Sequence, residues 1–176
     1  RDKIATIKPY KGHRDPSHKP KYYKEIQEYL KKYWAAIVVD GREADDAMGC
    51  DQYEALTKTH GPTIICSIDK DLNMIPGWHY NWRKKETYLV NNEQADYFFY
   101  KQLLMGDPTD NIQGIPKVGE KTAEKILLGY GGTLMYKAVE SAYEKHYGDT
   151  YFNYLLENAN LLWIQRENGV MWTPPC

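Results

Sequence analysis

The sequence predicts an α/β fold, in which a central and mostly parallel sheet flanked by helices is followed by a helical half. Two short apolar runs, at 35–39 and 63–68, are rich in β-branched residues, as buried strands often are. The stretch between them has the length and composition of a helix, so the three pieces suggest a right-handed crossover that joins parallel strands. From position 92 onward the apolar residues recur at helical spacing instead.

Each further element follows from local signals along the 176 residues. Gly61 and Pro62 end the helix of the crossover. A charged turn from Arg83 to Glu86 separates two strand-like stretches and predicts a hairpin at the sheet edge. In chain order we expect a basic loop or short helix over 1–20, a helix over about 21–32, strand 35–39, helix 44–58, strand 63–68, hairpin strands 78–82 and 87–90, and helices at 92–105, 120–128, about 133–146 and about 151–160.

The overall composition is that of an ordinary globular protein, but its charge is unevenly distributed. Hydrophobic residues make up 42% and charged residues 27%, and the net charge is −1. From Arg1 to Lys32 there are ten basic and four acidic residues, whereas Asp40 to Asp71 contains eight acidic and three basic ones. This asymmetry is compatible with a protein that holds a polyanion and chelates cations, although charge alone favours two differently charged solvated faces.

The cysteines and the hydropathy pattern bear on the location of the protein. Cys50, Cys66 and Cys176 lack the spacing of a metal site, and the first two lie in apolar stretches. We therefore expect Cys50 and Cys66 to be reduced core residues of a cytoplasmic protein. No stretch approaches the ~20 apolar residues that a membrane-spanning helix needs, so we expect no membrane partner. We also expect the protein to be a monomer.

Three acidic clusters fall at predicted ends of strands or helices. They consist of Glu43, Asp45 and Asp46 after the first strand, Asp69 and Asp71 after the second strand, and Asp107 and Asp110 after the 92–105 helix. Each cluster alone has an ordinary explanation, because acids suit helix N-termini and turns. Together they predict a divalent-cation site, since the carboxyl ends of parallel strands open into one crevice and Mg²⁺ and Mn²⁺ prefer oxygen ligands. Two such ions could activate water and stabilise a leaving oxygen.

A glycine-bracketed turn, beginning at Gly114, opens directly into the helix predicted at 120–128. Such a turn lets backbone amides approach a phosphate, and the positive end of the helix favours the anion. The residues expected to contact a nucleic-acid backbone here are Gly114, Lys117, Gly119, Lys121, Thr122 and Lys125. None of these contacts would read a base edge, so binding would be independent of sequence. A plain helix–turn–helix corner with solvated lysines explains the same residues.

Four motifs together carry a resemblance to a known family. They are Tyr10-Lys11-Gly12-His13-Arg14, Glu43-Ala44-Asp45-Asp46, Asp69-Lys70-Asp71, and the run from Gly106 to Ala123 that reads GDPTDNIQGIPKVGEKTA. In this order they resemble the 5′ nuclease family, which includes flap endonucleases, bacteriophage 5′–3′ exonucleases and the 5′ nuclease domain of bacterial DNA polymerase I. The resemblance extends across about residues 1–128. The last two motifs together are highly specific, whereas the acidic pairs alone are weak.

The resemblance implies a PIN-like fold and a structure-specific nuclease. The enzyme would hydrolyse DNA phosphodiesters with two Mg²⁺ or Mn²⁺ ions, as a 5′–3′ exonuclease or flap endonuclease in phage or bacterial replication or repair. Its substrate would be a 5′ flap, a nicked duplex or a 5′-ended duplex, and K⁺ could bind the 114–119 hairpin. The implied regions are a basic helical arch at 1–32, an α/β metal-binding core at 33–91, a helix–three-turn–helix DNA-binding region at 92–150, and a C-terminal helix and tail at 151–176.

The resemblance also implies residue roles. The residues implied around one metal ion or its waters are Glu43, Asp45, Asp46 and Asp69, and those around the other are Asp71, Asp107 and Asp110, with Asp69 shared. Lys11 and Arg14 stand where the family places arch residues that grip the scissile phosphate. The family also begins with a strand bearing an Asp, and a second Asp follows before the arch. Both would lie upstream of Arg1, so we expect the catalytic core to be incomplete on that side.

Two other functions fit parts of the pattern. A non-catalytic, structure-specific DNA-binding module would need only the arch and the hairpin. The four acids Asp69, Asp71, Asp107 and Asp110 argue against it, because DNA binding gains nothing from acids that face phosphate. An RNA-cleaving toxin of a related α/β fold is a third hypothesis, but it would not need the duplex clamp at 106–123.

Overall fold

The computed structural model describes residues 1–15, 17, 19–58 and 61–175; positions 16 and 18 of the predicted N-terminal loop, positions 59 and 60, and position 176 lie outside this description. All six predicted helices are confirmed, with ends that differ by a few residues at most. They are α1 (Tyr23–Tyr33), α2 (Ala44–Thr57), α3 (Asn92–Met105), α4 (Glu120–Leu127), α5 (Thr133–Tyr147) and α6 (Tyr151–Leu162), with short 3₁₀ turns at Lys70–Met74 and Gly148–Thr150. No helix in the described ranges is both long and apolar enough to cross a membrane.

The sheet has three strands in the order β1–β2–β3, which are Ile64–Cys66, Gly77–Asn81 and Glu86–Val90. The first two pair in parallel, with Ile64 opposite Trp78. The last two form the predicted hairpin, in which Trp78 lies opposite Leu89. The Asn81 side chain accepts hydrogen bonds from the backbone amides of Arg83 and Lys84, which stabilises the reversal between the strands.

The predicted strand at 35–39 is wrong, and so is the crossover built on it. These residues form an irregular segment in which Ile37 is 88% and Val38 61% exposed. An extended segment becomes a strand only when a neighbour accepts and donates its backbone hydrogen bonds, and the parallel partner of β1 is β2 instead. The α/β class is confirmed, but the sheet is small and mixed rather than mostly parallel.

The cysteine prediction also needs a correction. Both Cys50 and Cys66 are free thiols, but Cys66 is exposed and Cys50 only half-buried. Cys66 is exposed because side chains alternate between the two faces of a strand, and Ile65 is the β1 residue that faces the core.

The hydrophobic core lies mainly in the helical half. Leu103 of α3, Val139 of α5 and Leu155 of α6 are fully buried. Tyr143 is equally buried, and its hydroxyl donates to the Leu103 carbonyl at 2.7 Å while accepting from the Asn158 amide at 3.1 Å. The two hydrogen bonds satisfy this buried hydroxyl. They also connect α3, α5 and α6 to one another.

Candidate active site

The first acidic cluster lies at a helix start, as predicted, and the second lies shortly after β1, at the start of a 3₁₀ turn. Glu43 precedes α2 in an extended conformation, and Asp45 and Asp46 lie in its first turn, where the helix dipole favours negative charge. Asp69 precedes the 3₁₀ turn, and its carboxylate accepts a hydrogen bond from the Asp71 amide at 3.0 Å.

The third cluster lies in a tight loop after α3. Asp107 forms a bridge with Ile112, and its carboxylate accepts from the Thr109 amide at 2.8 Å. Gly106 and Gly114 bring the two ends of this loop together, because a Cβ on Gly114 would lie 2.2 Å from the Gly106 nitrogen. Only glycine allows this approach, and both residues also have positive φ angles, of 74° and 58°.

Acidic residues from all three clusters meet at one narrow cavity of about 30 Å³. The acids that line it are Glu43, Asp45, Asp71, Asp107 and Asp110. Asp46 instead lines a neighbouring, wider cavity of about 380 Å³, which Glu43 also borders. The smaller cavity has room for an ion or a water molecule but not for a nucleotide.

The electrostatics of the cavity show that the acids affect one another. Burial raises the pKa of Asp45, and the negative charge of Asp69 raises it further. The pKa of Asp71 is raised for the same two reasons, although a hydrogen bond from the Gln102 amide, at 3.1 Å, partly opposes the effect. Asp69 therefore acts on both carboxyl groups, and all three share one electrostatic environment.

Basic side chains from the N-terminal segment offset part of this charge. Lys11 Nζ lies 2.5 Å from Glu43 Oε1, and Arg14 Nη2 lies 2.5 Å from Asp110 Oδ1. Arg1 forms ion pairs with both Glu43 and Asp46. The two residues predicted to grip phosphate therefore lie at the edge of the acidic cavity.

Sequence reasoning missed three residues of this site. Arg1 bridges two of the acids, and the Tyr10 hydroxyl donates to Asp110 at 2.8 Å. Burial, followed by the hydrogen bond to Asp110, raises the pKa of Tyr10, so its hydroxyl stays protonated as a donor. Gln102 lies on α3, which carries no sequence motif, so nothing in the sequence singles it out. Tyr10 could have been found, because it adjoins Lys11 in the first motif.

The suitability of the cavity for a metal rests on its donor atoms. Within the described ranges, no three His, Cys, Asp or Glu side chains are close enough to hold one ion together in their present conformations. The donors are nevertheless carboxylate and amide oxygens, which Mg²⁺ and Mn²⁺ prefer. The buried Oε1 of Gln102 accepts no hydrogen bond from the described residues, so one oxygen at this cavity is available for a cation. The donor set therefore fits a divalent cation.

Most of the predicted nucleic-acid contacts lie on the exposed side of the 114–119 turn and of α4. Lys117, Lys121, Thr122 and Lys125 are exposed, and a Cβ on Gly119 would meet nothing within 4 Å. Gly114, in contrast, is buried against Gly106 and shapes the loop rather than its surface.

The charges of α4 are separated between its two sides. Lys101 of α3 pairs with Glu120 at 2.9 Å and with Glu124 at 3.3 Å. Lys121 and Lys125 are one turn apart on another side of the helix, and neither forms an ion pair with a described residue. Since Lys101 holds the two acids on the side of α4 that faces α3, Lys121 and Lys125 are the charged groups on the other side and make that side positive.

Comparison with known proteins agrees with the motifs. A 5′-3′ exonuclease of Buchnera aphidicola subsp. Acyrthosiphon pisum is 38% identical over 106 residues, which cover 54% of this chain and 37% of that protein. An exodeoxyribonuclease of Enterobacteria phage T3 is 33% identical over 121 residues, which cover 67% of this chain and 40% of that protein. The chain therefore spans less than half the length of these curated relatives. No family model matches it.

A solved structure supports the fold. The flap endonuclease D15 of bacteriophage T5, in a pseudo-enzyme-product complex with DNA and metal ions, superposes with a TM-score of 0.58. The match covers 85% of this chain and 66% of that chain at 19% identity, so it bears on the fold alone. Together, the relatives and this neighbour confirm the predicted resemblance of the chain to the 5′ nuclease family.

Proposed function

We propose that this chain carries the metal-binding and DNA-binding parts of a structure-specific 5′ nuclease, which hydrolyses DNA phosphodiesters as a 5′–3′ exonuclease or flap endonuclease. The observation that supports the proposal is the convergence of acids from three distant segments on one narrow cavity with basic side chains at its edge. A protein that only binds DNA would gain nothing from this arrangement, because the acids repel phosphate. The relatives with exonuclease names favour the enzyme over that alternative.

Divalent Mg²⁺ or Mn²⁺ would be held by oxygens of Asp45, Asp69, Asp71, Asp107 and Asp110. When bound, two such ions supply an activated water and stabilise the leaving oxygen. Asp69 and Asp71 would keep the ligands close together, because the Asp69 carboxylate fixes the Asp71 backbone amide. The Gln102 amide would orient the Asp71 carboxylate by donating a hydrogen bond to it.

The basic residues at the cavity edge would position the substrate. Lys11 and Arg14 reach Glu43 and Asp110, so a phosphate at the edge would meet two positive charges. An arginine can also donate two parallel hydrogen bonds to phosphate oxygens. These contacts would hold the scissile phosphate over the acids without reading any base.

The 114–125 segment would grip the duplex away from the cut. The space beside Gly119, at the N-terminus of α4, is open, and the positive end of a helix favours a phosphate there. Lys117, Lys121 and Lys125 add positive charge along the same side, which gives binding that depends on salt and not on sequence. A K⁺ ion held by carbonyl oxygens of the 114–119 turn remains part of this proposal.

The decisive experiment measures Mg²⁺- or Mn²⁺-dependent cleavage of a 5′-flap and a nicked duplex. Asp71→Asn should abolish cleavage while binding to the same DNA persists, because the variant removes one metal-binding charge and leaves the lysines intact. Asp51→Asn, an exposed position on α2, is the matched control and should cleave like the wild type. Unchanged cleavage by Asp71→Asn would exclude this site as the catalytic centre.

A further inference from the structure

The most buried residues of the helix that carries the first acidic cluster are polar residues and a glycine. The buried residues of α2 are Asp46, Gly49 and Gln52, which recur at every third position on one side. The large apolar side chain of Leu56 is 54% exposed. Most helices of globular proteins dock through an apolar stripe, which tolerates small shifts. In α2 Met48 packs against the core only partly buried, so the position of the helix depends mainly on directional hydrogen bonds and one close backbone approach.

Gln52 attaches the C-terminal half of α2 to the sheet. Its Nε2 donates to the carbonyl of Pro76 at 3.2 Å and to that of Trp78 at 3.1 Å. Its Oε1 accepts from the Thr63 hydroxyl at 3.3 Å. Gly77 makes room for this side chain, because a Cβ there would lie 2.5 Å from the Gln52 nitrogen.

Asp46 and Gly49 attach the N-terminal half of α2 to the segment Trp163–Arg166, which follows α6. Asp46 is 5% exposed, and its carboxylate accepts a hydrogen bond from the backbone amide of Gln165 at 3.0 Å. One turn further on, a Cβ on Gly49 would lie only 2.4 Å from the Gln165 carbonyl oxygen. Both backbone groups of Gln165 therefore determine where α2 begins.

The same segment also holds the 3₁₀ turn that begins after Asp69 and contains Asp71. Arg166 Nη2 donates to the carbonyl of Met74, at the end of the 3₁₀ turn, at 2.9 Å. It also pairs with Asp96 of α3 at 3.0 Å, and its guanidinium lies 4.8 Å from the ring centroid of Trp163. Trp163–Arg166 is thus in contact with both acid-bearing elements, and with α3 between them.

We propose that Asp46 is a positioning residue rather than a metal ligand. By accepting from Gln165 it sets the rotation of α2 so that the adjacent Asp45 faces the cavity shared with Asp71. Successive residues of a helix point about 100° apart, and here Asp45 lines that cavity whereas Asp46 does not. Asp46 lines the neighbouring cavity, on the side of Gln165 and Trp163. This inference rests on the proposed metal site, and it gives the C-terminal segment a role in assembling that site.

The test titrates the whole chain with Mn²⁺ alone, without DNA, and follows the electron paramagnetic resonance signal of free Mn²⁺. Asp46→Asn keeps an oxygen that accepts from Gln165, so its Mn²⁺ affinity should stay within about twofold of the wild type. Asp46→Ala removes the acceptor and should lose about tenfold or more, as residues that orient metal ligands do. Asp45→Asn removes a ligand charge and should lose at least as much. We therefore expect the change from Asp to Asn to preserve the Mn²⁺ affinity at position 46 but not at position 45.

A second variant tests the position of α2 without changing any carboxylate. Gly49→Ala places a methyl group against the Gln165 carbonyl and forces α2 away from it. Its Mn²⁺ affinity should fall by about tenfold, while circular dichroism shows a folded chain. Asp51→Ala, on the exposed side of the same helix, is the control and should bind Mn²⁺ like the wild type.

Two results would overturn the positioning role. One is an Asp46→Asn affinity as weak as that of Asp45→Asn, and the other is a folded Gly49→Ala chain with wild-type affinity. A wild-type chain that binds Mn²⁺ with the expected pattern, but does not cleave 5′-flap DNA, would refute the nuclease proposal alone. A wild-type chain that binds no Mn²⁺ would refute both.

Discussion

The helical half and the acid-bearing half of this protein are held in different ways. Helices α3, α5 and α6 bury Leu103, Val139 and Leu155 completely against one another. Helix α2 instead docks mainly through hydrogen bonds that Asp46 and Gln52 form with backbone groups of neighbouring segments. Apolar packing supplies stability but little directional control, whereas hydrogen bonds fix an orientation. The comparison indicates that the helical half supplies the stability on which a geometrically defined acidic site depends.

The largest expected effect on stability is in the apolar half. Leu103→Ala should lower the free energy of unfolding by about 2–5 kcal/mol, because it leaves a cavity in a fully buried position. Leu56→Ala, at a 54% exposed position of α2, should change it by no more than about 0.5 kcal/mol. Urea denaturation of the two variants measures the difference. Equal losses would show that α2 packs through apolar contacts after all.

The next effect concerns the loop between α3 and α4, which carries Asp107 and Asp110. Gly114→Ala should lower the free energy of unfolding by about 2 kcal/mol or more, because about 1–2 kcal/mol of left-handed strain adds to a backbone clash with Gly106. Gly129→Ala has the same sign of φ but open space around its Cβ, so it should cost only about 1–2 kcal/mol. Urea denaturation compares the two. A Gly114→Ala variant no less stable than Gly129→Ala would mean that the loop is not held closed there.

A smaller effect concerns the surface beside the site. The double variant Lys117→Ala and Lys121→Ala should weaken duplex binding and reduce the slope of log affinity against log salt by about 2, because two counterion-releasing contacts are lost. Lys137→Ala with Lys145→Ala removes the same charge from α5 and should leave most of the slope unchanged. Fluorescence anisotropy at several salt concentrations measures both. An identical change in the two double variants would remove the special role of the 114–125 segment.

The smallest effect is a pH dependence in the sheet. His79 is 3% exposed and its Nε2 bonds to the Ile75 carbonyl at 2.9 Å. Burial lowers the pKa of His79 below its ordinary value of 6.5. The unfolded chain therefore takes up a proton near that pH while the folded chain resists it, so the free energy of unfolding falls as the pH drops below about 6.5. In His79→Gln, urea denaturation at pH 7.5 and pH 5.5 should show a smaller difference; an unchanged difference would contradict this cause.

The helices could be predicted from the sequence because their signals are local. Capping residues and helical spacing are present within each segment, as at α3, where Asn91 and Gln94 form a capping box. The strand at 35–39 could not be excluded in this way, because its apolar, β-branched pattern says nothing about whether a neighbouring strand pairs with it.

The site was predicted only in part for a similar reason. The acidic motifs identified Asp45, Asp71 and Asp107, which the structure brings to one cavity. The different orientation of Asp46 could not be predicted, because it depends on a hydrogen bond from Gln165, 119 positions away. Gln102 was missed because a polar residue in an apolar helix carries no chemical signature until its neighbour across the fold is known.

The most direct test of the account is the position of Mn²⁺ in a crystal of this protein, located by its anomalous scattering. The account predicts peaks within about 2.0–2.6 Å of carboxylate oxygens from Asp45, Asp71 and Asp107, with Asp46 still bonded to the Gln165 amide. Saturating Mn²⁺ that binds elsewhere and leaves these three carboxylates without an ion would contradict it.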